Sequence, residues 1–210
     1  MSFKDRHDAG KRLAEALSSY RQTPDLLVLA LPRGGVPVAW EVAQALDAEL
    51  DVLVVRKLGV PWQPELAMGA IAGNGVRVLH DDMVSSLRIP EDEIEDIVRD
   101  ETTELKRREA SYRGDRPKPR IQDRTVIVVD DGLATGATMQ AAVQALREQS
   151  PARITVAVPV SPPDSADDMK RYADEVVCLM QPPGFGSVGQ WYQHFGQTSD
   201  DEVKELLGTA

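Results

Sequence analysis

Short, almost uninterrupted β-branched runs that alternate with helical patterns restrict the fold of this chain more than any other feature. "DLLVLAL" (25–31) reads as a strand, and "GVPVAWEVAQAL" (35–46) spaces Val38, Val42, Ala45 and Leu46 along one helical face. "DVLVVRK" (51–57) reads as a second strand. Further on come "TVIVVDD" (125–131), the helix "ATMQAAVQALREQ" (137–149), the strand "RITVAVPV" (153–160), a helix from about Asp164 to Tyr172, and "EVVCLM" (175–180). Strands apolar on both faces must be covered on both, which a parallel sheet with β-α-β crossovers achieves. The expected fold class is α/β, with a doubly wound, mainly parallel central sheet.

Two segments leave the alternation. "MGAIAGNGVRVL" (68–79) has two apolar runs around Gly73-Asn74-Gly75 and predicts a side hairpin. "PEDEIEDIVRDETTELKRREASYR" (90–113) predicts one long polar helix starting near Pro90, with Glu95–Arg99 and Glu104–Arg108 at i,i+4 spacing and a solvated face. "RGDRPKPRIQDR" (113–124) predicts a connecting loop. With 210 residues, 42% of them hydrophobic and 28% charged, one domain over 1–210 accounts for the chain.

A net charge of −10 argues against a nucleic-acid partner, because such proteins neutralise phosphates with a basic face. An anionic ligand must therefore meet a local positive pocket. The acidity itself serves solubility or a high-salt habitat, and charge does not choose between them. Cys178 is the one cysteine, so no intramolecular disulfide forms; it reads as a small buried hydrophobe rather than a reactive thiol. "MSFKDRHDAG" lacks the apolar core of a signal peptide, and no run reaches the roughly 18 apolar residues of a membrane span. A cytoplasmic protein without a membrane partner is expected.

"VVDDGLATGAT" (128–138) carries the chemistry. It puts Asp130 and Asp131 at the C-terminal end of a parallel strand, where open α/β sheets bind ligands. Gly132, Ala134, Thr135, Gly136, Ala137 and Thr138 then bring backbone N–H groups and hydroxyls to the start of a helix, whose N-terminus favours an anion. The acids could accept hydrogen bonds from sugar hydroxyls, or hold Mg²⁺ through water or those hydroxyls. The competing reading is a helix cap built from Asp and Thr. No G-x-x-x-x-G-K-[ST] pattern is present, so this is not a triphosphate loop.

"VIVVDDGLATGAT" (126–138) resembles the phosphoribosyl diphosphate (PRPP) signature of type I phosphoribosyltransferases. The resemblance extends from about Leu26 to Leu179 and is similar to the branch whose acceptor is unassigned. It implies that Asp130 and Asp131 bind the ribose hydroxyls and act in catalysis, and that the loop from Gly132 to Thr138 binds the 5′-phosphate. "LPRGG" (31–35) stands where the family holds pyrophosphate, often through a cis peptide. Arg33 would supply charge there, and Gly34 and Gly35 would let the backbone approach. Arg56 and Lys57 in "VVRKLG" stand at a second pyrophosphate contact; alone, the pair also reads as a solvated strand edge.

"LGVPWQPELAMGAIA" (58–72) falls where the family carries a mobile loop that closes over the reacting centre and excludes water. Glu65 in it would accept a proton or stabilise positive charge, or is a solvated loop acid. The implied reaction displaces pyrophosphate from C1 of PRPP by a nitrogenous acceptor, with Mg²⁺ as cofactor. Hypoxanthine and guanine members carry an acid where this chain has Ala134, so a 6-oxopurine is disfavoured without adenine being established. The resemblance also implies a homodimer.

In this family a hood from the chain ends selects the acceptor, here about 1–25 and 180–210 around a core of about 26–179. Phe185, Trp191, Tyr192 and Phe195 could stack on a flat base, or form a satellite core that pins the tail. "GFGSVG" (184–189) satisfies G-x-G-x-x-G without the β-α-β context the motif needs, and the three histidines are too scattered for a zinc motif. Two rival functions keep the same fold: a non-enzymatic sensor of PRPP or nucleotide, and a hydrolase of a phosphorylated nucleoside or sugar.

Overall fold

The computed structural model describes residues 2–210 apart from the side chain of Asn74; Met1, which opens the expected hood, lies outside them. In chain order the elements are α1 (Arg6–Ala16), β1 (Leu27–Ala30), α2 (Gly35–Leu46), β2 (Glu49–Val52), β3 (Val55–Val60), β4 (Gln63–Ala72) and β5 (Val76–Leu79). There follow α3 (Asp81–Ser86), α4 (Glu91–Arg113), β6 (Thr125–Val129), α5 (Ala137–Arg147), β7 (Arg153–Val160), α6 (Pro163–Met169), β8 (Glu175–Met180) and α7 (Asp200–Leu207).

The main sheet is five-stranded and parallel, in the order β2-β1-β6-β7-β8. Alternate residues of its strands enter two different cores, as the two-residue period of a strand requires. Val28, Ala30, Ile127, Val129 and Ala157 pack with Leu13 and Leu17 of the N-terminal segment and with Val38 and Val42 of α2. Leu27, Leu29, Val126, Val128, Ile154, Val156 and Val158 pack with Met139, Val143 and Leu146 of α5 and Met169 of α6. The sheet is thus covered on both faces, and the expected α/β class holds.

The "DVLVVRK" run is two strands rather than one. β2 ends at Val52; after Leu53 and Val54 the chain enters β3, which belongs to a separate antiparallel sheet of order β3-β4-β5. An unbroken apolar run hid the change because Leu53 and Val54 are buried in the junction. The expected side hairpin is β4–β5, turned by Gly73–Gly75, and the segment read as a mobile loop is the β3–β4 hairpin beside it. Leu58, Val60, Met68 and Ile71 of this small sheet pack against Ile94 and Leu105 of α4.

The long helix α4 begins after Pro90 as expected. Glu104–Arg108 forms at 3.3 Å, whereas Glu95 pairs with Arg77 of β5 and Arg99 with Asp96. The predicted Glu95–Arg99 pair is therefore replaced by a tertiary one. The inner end of α4 is fastened by Arg113, which donates to buried Asp51 at 3.1 Å. No helix among the described residues is long and apolar enough to cross a membrane.

Candidate functional site

Strand order defines where the site can lie. From β1 the chain moves outward to β2, and from β6 it moves outward the other way through β7 to β8, so the order reverses between β1 and β6. In open α/β sheets the crevice beyond the strand ends at such a reversal binds ligands. The pairing Ala30↔Val129 sets the ends of these strands level, and Leu31 N–H continues the ladder onto Val129 O at 2.9 Å. The loops Leu31–Gly35 and Asp130–Gly136 consequently leave the sheet side by side.

Their contact is close. A Cβ at Gly34 would lie 2.2 Å from Asp131 Oδ2, and one at Gly35 would lie 2.8 Å from Val129 O and 3.0 Å from Asp130 Cα. The paired glycines therefore let the start of α2 press against the acids. The Pro32–Arg33 peptide bond is cis. Arg33 is exposed, with Nη1 3.7 Å from Asp200 Oδ1 at the first turn of α7.

Beyond the acids, Leu133 N–H donates to Val160 O at 2.9 Å, and Ser165 Oγ donates to Ala134 O at 2.7 Å, fixing the loop against β7 and α6. Gly136 has φ 79°, a left-handed conformation that suits glycine, and from it α5 starts. Ala134, Thr135 and Ala137 are exposed on this turn, Thr138 is half-buried, and Gly132 and Gly136 are buried. Within the turn, Ala137 N–H donates to Thr135 Oγ1 at 3.3 Å.

Asp130 and Asp131 are half-buried neighbours. Asp131 N–H donates to Asp130 Oδ1 at 2.8 Å. Burial, and then the charge of Asp131, push the Asp130 carboxyl well above the usual carboxylate range. Burial also raises Asp131, opposed by Arg6, whose Nε donates to Asp131 Oδ2 at 3.0 Å. Tyr192 OH donates to the backbone oxygen of Asp131 at 2.6 Å. Both chain ends thus meet at this one aspartate.

The comparison with known proteins fits this geometry. The family described as phosphoribosyl transferase domain matches residues 2–190. The chain belongs to this family. It is 50% identical over 208 residues to a Mycobacterium tuberculosis (strain CDC 1551 / Oshkosh) protein named "Putative phosphoribosyl transferase MT0597", covering 99% of this chain and 47% of that protein. The chain therefore spans about half the length of the curated relatives it matches. The crystal structure of TT1426 from Thermus thermophilus is 42% identical with a TM-score of 0.87, covering 99% of this chain and 98% of that one. The AQ2163 protein from Aquifex aeolicus, at 10% identity and a TM-score of 0.51 over 97% and 85% of the two chains, shares the fold alone.

Within this phosphoribosyl transferase domain, the sequence-predicted residues divide. Arg33, Gly34, Gly35, Asp130, Asp131 and the Gly132–Thr138 loop share the sheet crevice. Lys57 is instead on β3, where it lines a small cleft of about 50 Å³ with Ala137 and Gln140 at the start of α5. Arg56 faces α4 and donates to Glu101 at 2.6 Å, which takes it away from the crevice. Glu65 is exposed on β4, near the tip of its hairpin. Seven residues of strand, roughly 23 Å, separate it from Ala72 at the hairpin base.

The aromatic tail forms a satellite core. Phe3, Tyr192 and Val160 are buried together, and Phe185 stacks on Trp191 with ring centroids 6.3 Å apart. Tyr192, spent on this core and on Asp131, has no free ring face for a base. Of the two readings of the tail, base stacking or a satellite core, the burial of Tyr192 fits the second. Arg6 and Asp200 were missed because each lies in an ordinary charged stretch, and only folding brings them to residues 125 and 167 positions away. A separate cavity of about 220 Å³ lies under the chain ends, lined by Arg6, His7, Pro37, His194, Thr198 and Glu202 among others.

Proposed function

We propose that this domain binds PRPP in the β1–β6 crevice and transfers its 5-phosphoribosyl group to a nitrogenous acceptor, releasing pyrophosphate. The observation that carries the reading is the meeting of the Asp130–Asp131 pair, the α5 N-terminal loop and the Leu31–Gly35 loop at one strand reversal. Residues 2–210 act in it as one domain, with a core of about 26–179 and the chain ends as its hood.

Each part has a separate task. Backbone N–H groups of Gly132 and of Ala134 to Thr138, at a helix N-terminus, hold the 5′-phosphate, while that of Leu133 is taken by Val160 O. Asp130 and Asp131 accept the ribose hydroxyls and so orient C1 toward the acceptor. Arg33, with the Gly34 and Gly35 backbone, receives the pyrophosphate, and Lys57 adds charge from β3. The C1–O bond to pyrophosphate breaks as the acceptor nitrogen bonds to C1, and that nitrogen gives up its proton. Glu65 is assigned to accept this proton or to counter positive charge at the sugar when its hairpin lies over C1.

No group of three or more His, Cys, Asp and Glu that could hold a metal is found among the described residues. The donor set suits a hard cation that the chain touches only through Asp130 and Asp131, the ligand's own oxygens supplying the rest. Mg²⁺ bound in this way would neutralise the leaving pyrophosphate. Ala134 in the phosphate loop leaves no acid there to face an acceptor, which disfavours a 6-oxopurine. The family setting also supports a cytoplasmic homodimer, without nucleic acid or membrane as partner.

The test is release of pyrophosphate from PRPP and Mg²⁺ across a panel of purine, pyrimidine and other nitrogenous acceptors. Acceptor-dependent release supports the transferase. Release that needs no acceptor indicates the hydrolase, and PRPP binding with no release under any condition indicates the sensor.

A further inference from the structure

Arg6 lies in the first turn of α1, with its side chain only 12% exposed, and three separate contacts hold it. Its Nε donates to Asp131 Oδ2 at 3.0 Å, its Nη1 donates to Gly196 O at 2.6 Å, and its guanidinium lies 4.0 Å from the centre of the Phe195 ring. Gly196 and Phe195 are themselves fixed by a local framework: Gln193 N–H bonds Phe3 O at 2.8 Å, His194 N–H bonds Lys4 O at 2.9 Å, and Phe195 packs on Tyr192 at 5.0 Å. The planar fork of arginine makes such simultaneous contacts with little remaining freedom.

The Asp131 carboxylate, in turn, is constrained from several sides. Arg6 engages Oδ2, Tyr192 holds the backbone oxygen of the same residue, and Gly34 packs against Oδ2 closely enough that no Cβ would fit. An ionised carboxylate has about four acceptor positions, so one bond from Arg6 leaves others for a sugar hydroxyl. An arginine tethered at three points, beside a carboxylate with acceptor capacity to spare, has the form of a fixed support. A displaceable plug would be held by the carboxylate alone.

We infer that Arg6 is a positioning residue for the ribose-binding carboxylate of Asp131, held in place by Phe195 and Gly196 of the C-terminal tail. The two chain ends therefore complete the sugar site as well as roofing it. This inference rests on the proposal that Asp131 binds ribose hydroxyls. Among the described residues Arg6 hydrogen-bonds neither the Leu31–Gly35 loop nor the α5 turn; it approaches the former only at Gly34, where a Cβ would stand 3.3 Å from its Nε, so its polar influence is confined to the sugar-binding carboxylate.

That confinement supplies the test. Titration calorimetry in Mg²⁺ would compare PRPP with inorganic pyrophosphate, which lacks ribose, on the native domain and on Arg6→Ala, Arg6→Lys and Asp131→Asn. Loss of a charge-assisted bond predicts a fall in PRPP affinity of roughly ten- to a hundredfold for Arg6→Ala, with pyrophosphate affinity unchanged. Asp131→Asn should give the same pattern, and Arg6→Lys should recover part of the loss.

Unchanged or tighter PRPP binding by Arg6→Ala overturns the inference, the tighter result marking Arg6 as a plug. Equal losses for PRPP and pyrophosphate also overturn it, because they signal general disruption. If Arg6→Ala does not fold, Phe195→Leu removes the surface under the guanidinium and leaves every direct partner of Asp131 in place. It should weaken PRPP and spare pyrophosphate, and unchanged PRPP affinity overturns the inference. Failure of the native domain to bind PRPP at all refutes the site reading itself, a result distinct from each of these.

Discussion

Gly34→Ala isolates the contact between the two loops of the crevice. Gly34 has φ −60° and ψ −29°, values open to any residue, so alanine meets no backbone strain. The obstacle is space, because the new Cβ would stand 2.2 Å from Asp131 Oδ2 and 3.0 Å from its Cγ. The carboxylate must retreat by about 1 Å to restore ordinary contact, and its bond to Arg6 is lost in doing so. Such a bond between charged groups contributes about 1.5–3 kcal/mol. Glycine to alanine at a compatible conformation returns about 0.4–1 kcal/mol through the unfolded chain.

The balance is a net loss of roughly 0.5–2.5 kcal/mol. At about 2–4 °C per kcal/mol for a domain of this size, the unfolding midpoint falls by roughly 1–10 °C. Thermal unfolding followed by circular dichroism would measure that fall, and calorimetry would measure PRPP affinity on the same sample. The expected result is a modest drop in midpoint together with a loss of PRPP binding of roughly tenfold or more. A variant with native midpoint and native affinity would refute the reasoning, since Asp131 could not then be held against Gly34.

Further expectations concern stability and reactivity. A carboxyl whose folded pKa lies above its unfolded value contributes stability below the unfolded value, and this is lost as pH rises toward the folded one. Asp130, raised by burial and by Asp131, is such a group. Asp130→Asn should therefore raise the unfolding midpoint relative to the native domain, increasingly as pH climbs above about 4; a constant or negative difference from pH 4 to 8 contradicts this. Arg113→Met strands Asp51, which is 1% exposed, and should cost about 3–5 kcal/mol in urea unfolding; a loss below about 1 kcal/mol would show the pair to be dispensable. Burial pushes the Cys178 thiol up to about 11, so iodoacetamide at pH 8 should modify it slowly in the native domain and quickly in denaturant. Rapid native modification would place Cys178 outside the core.

Legibility in the sequence followed the range of the physics. Strands β1, β6, β7 and β8 and helices α2, α4 and α5 were visible because burial on both faces of a parallel sheet leaves local apolar runs and helical periodicity. The Asp130–Thr138 loop was visible because its acids, glycines and hydroxyl residues are contiguous. The junction at Leu53-Val54 was not, since two buried residues look alike whether a strand continues or changes sheet. Arg56 reads like Lys57 until α4 brings Glu101 to one of them. Long-range contacts left no local trace: Arg6 with Asp131, Asp200 with Arg33, and the hydroxyl of Tyr192 on Asp131. The aromatic tail was ambiguous because stacking on a base and stacking within a small core need the same residues; the burial of Tyr192 and Phe3 distinguishes the two.

The most direct measurement is calorimetric titration of PRPP with and without Mg²⁺ on the native domain and on Asp130→Asn/Asp131→Asn, with circular dichroism verifying the fold of both. Saturable, Mg²⁺-dependent binding by the native domain, weakened by the double substitution, is the expected result. Absence of binding by a well-folded native domain, or equal binding by both, would contradict it.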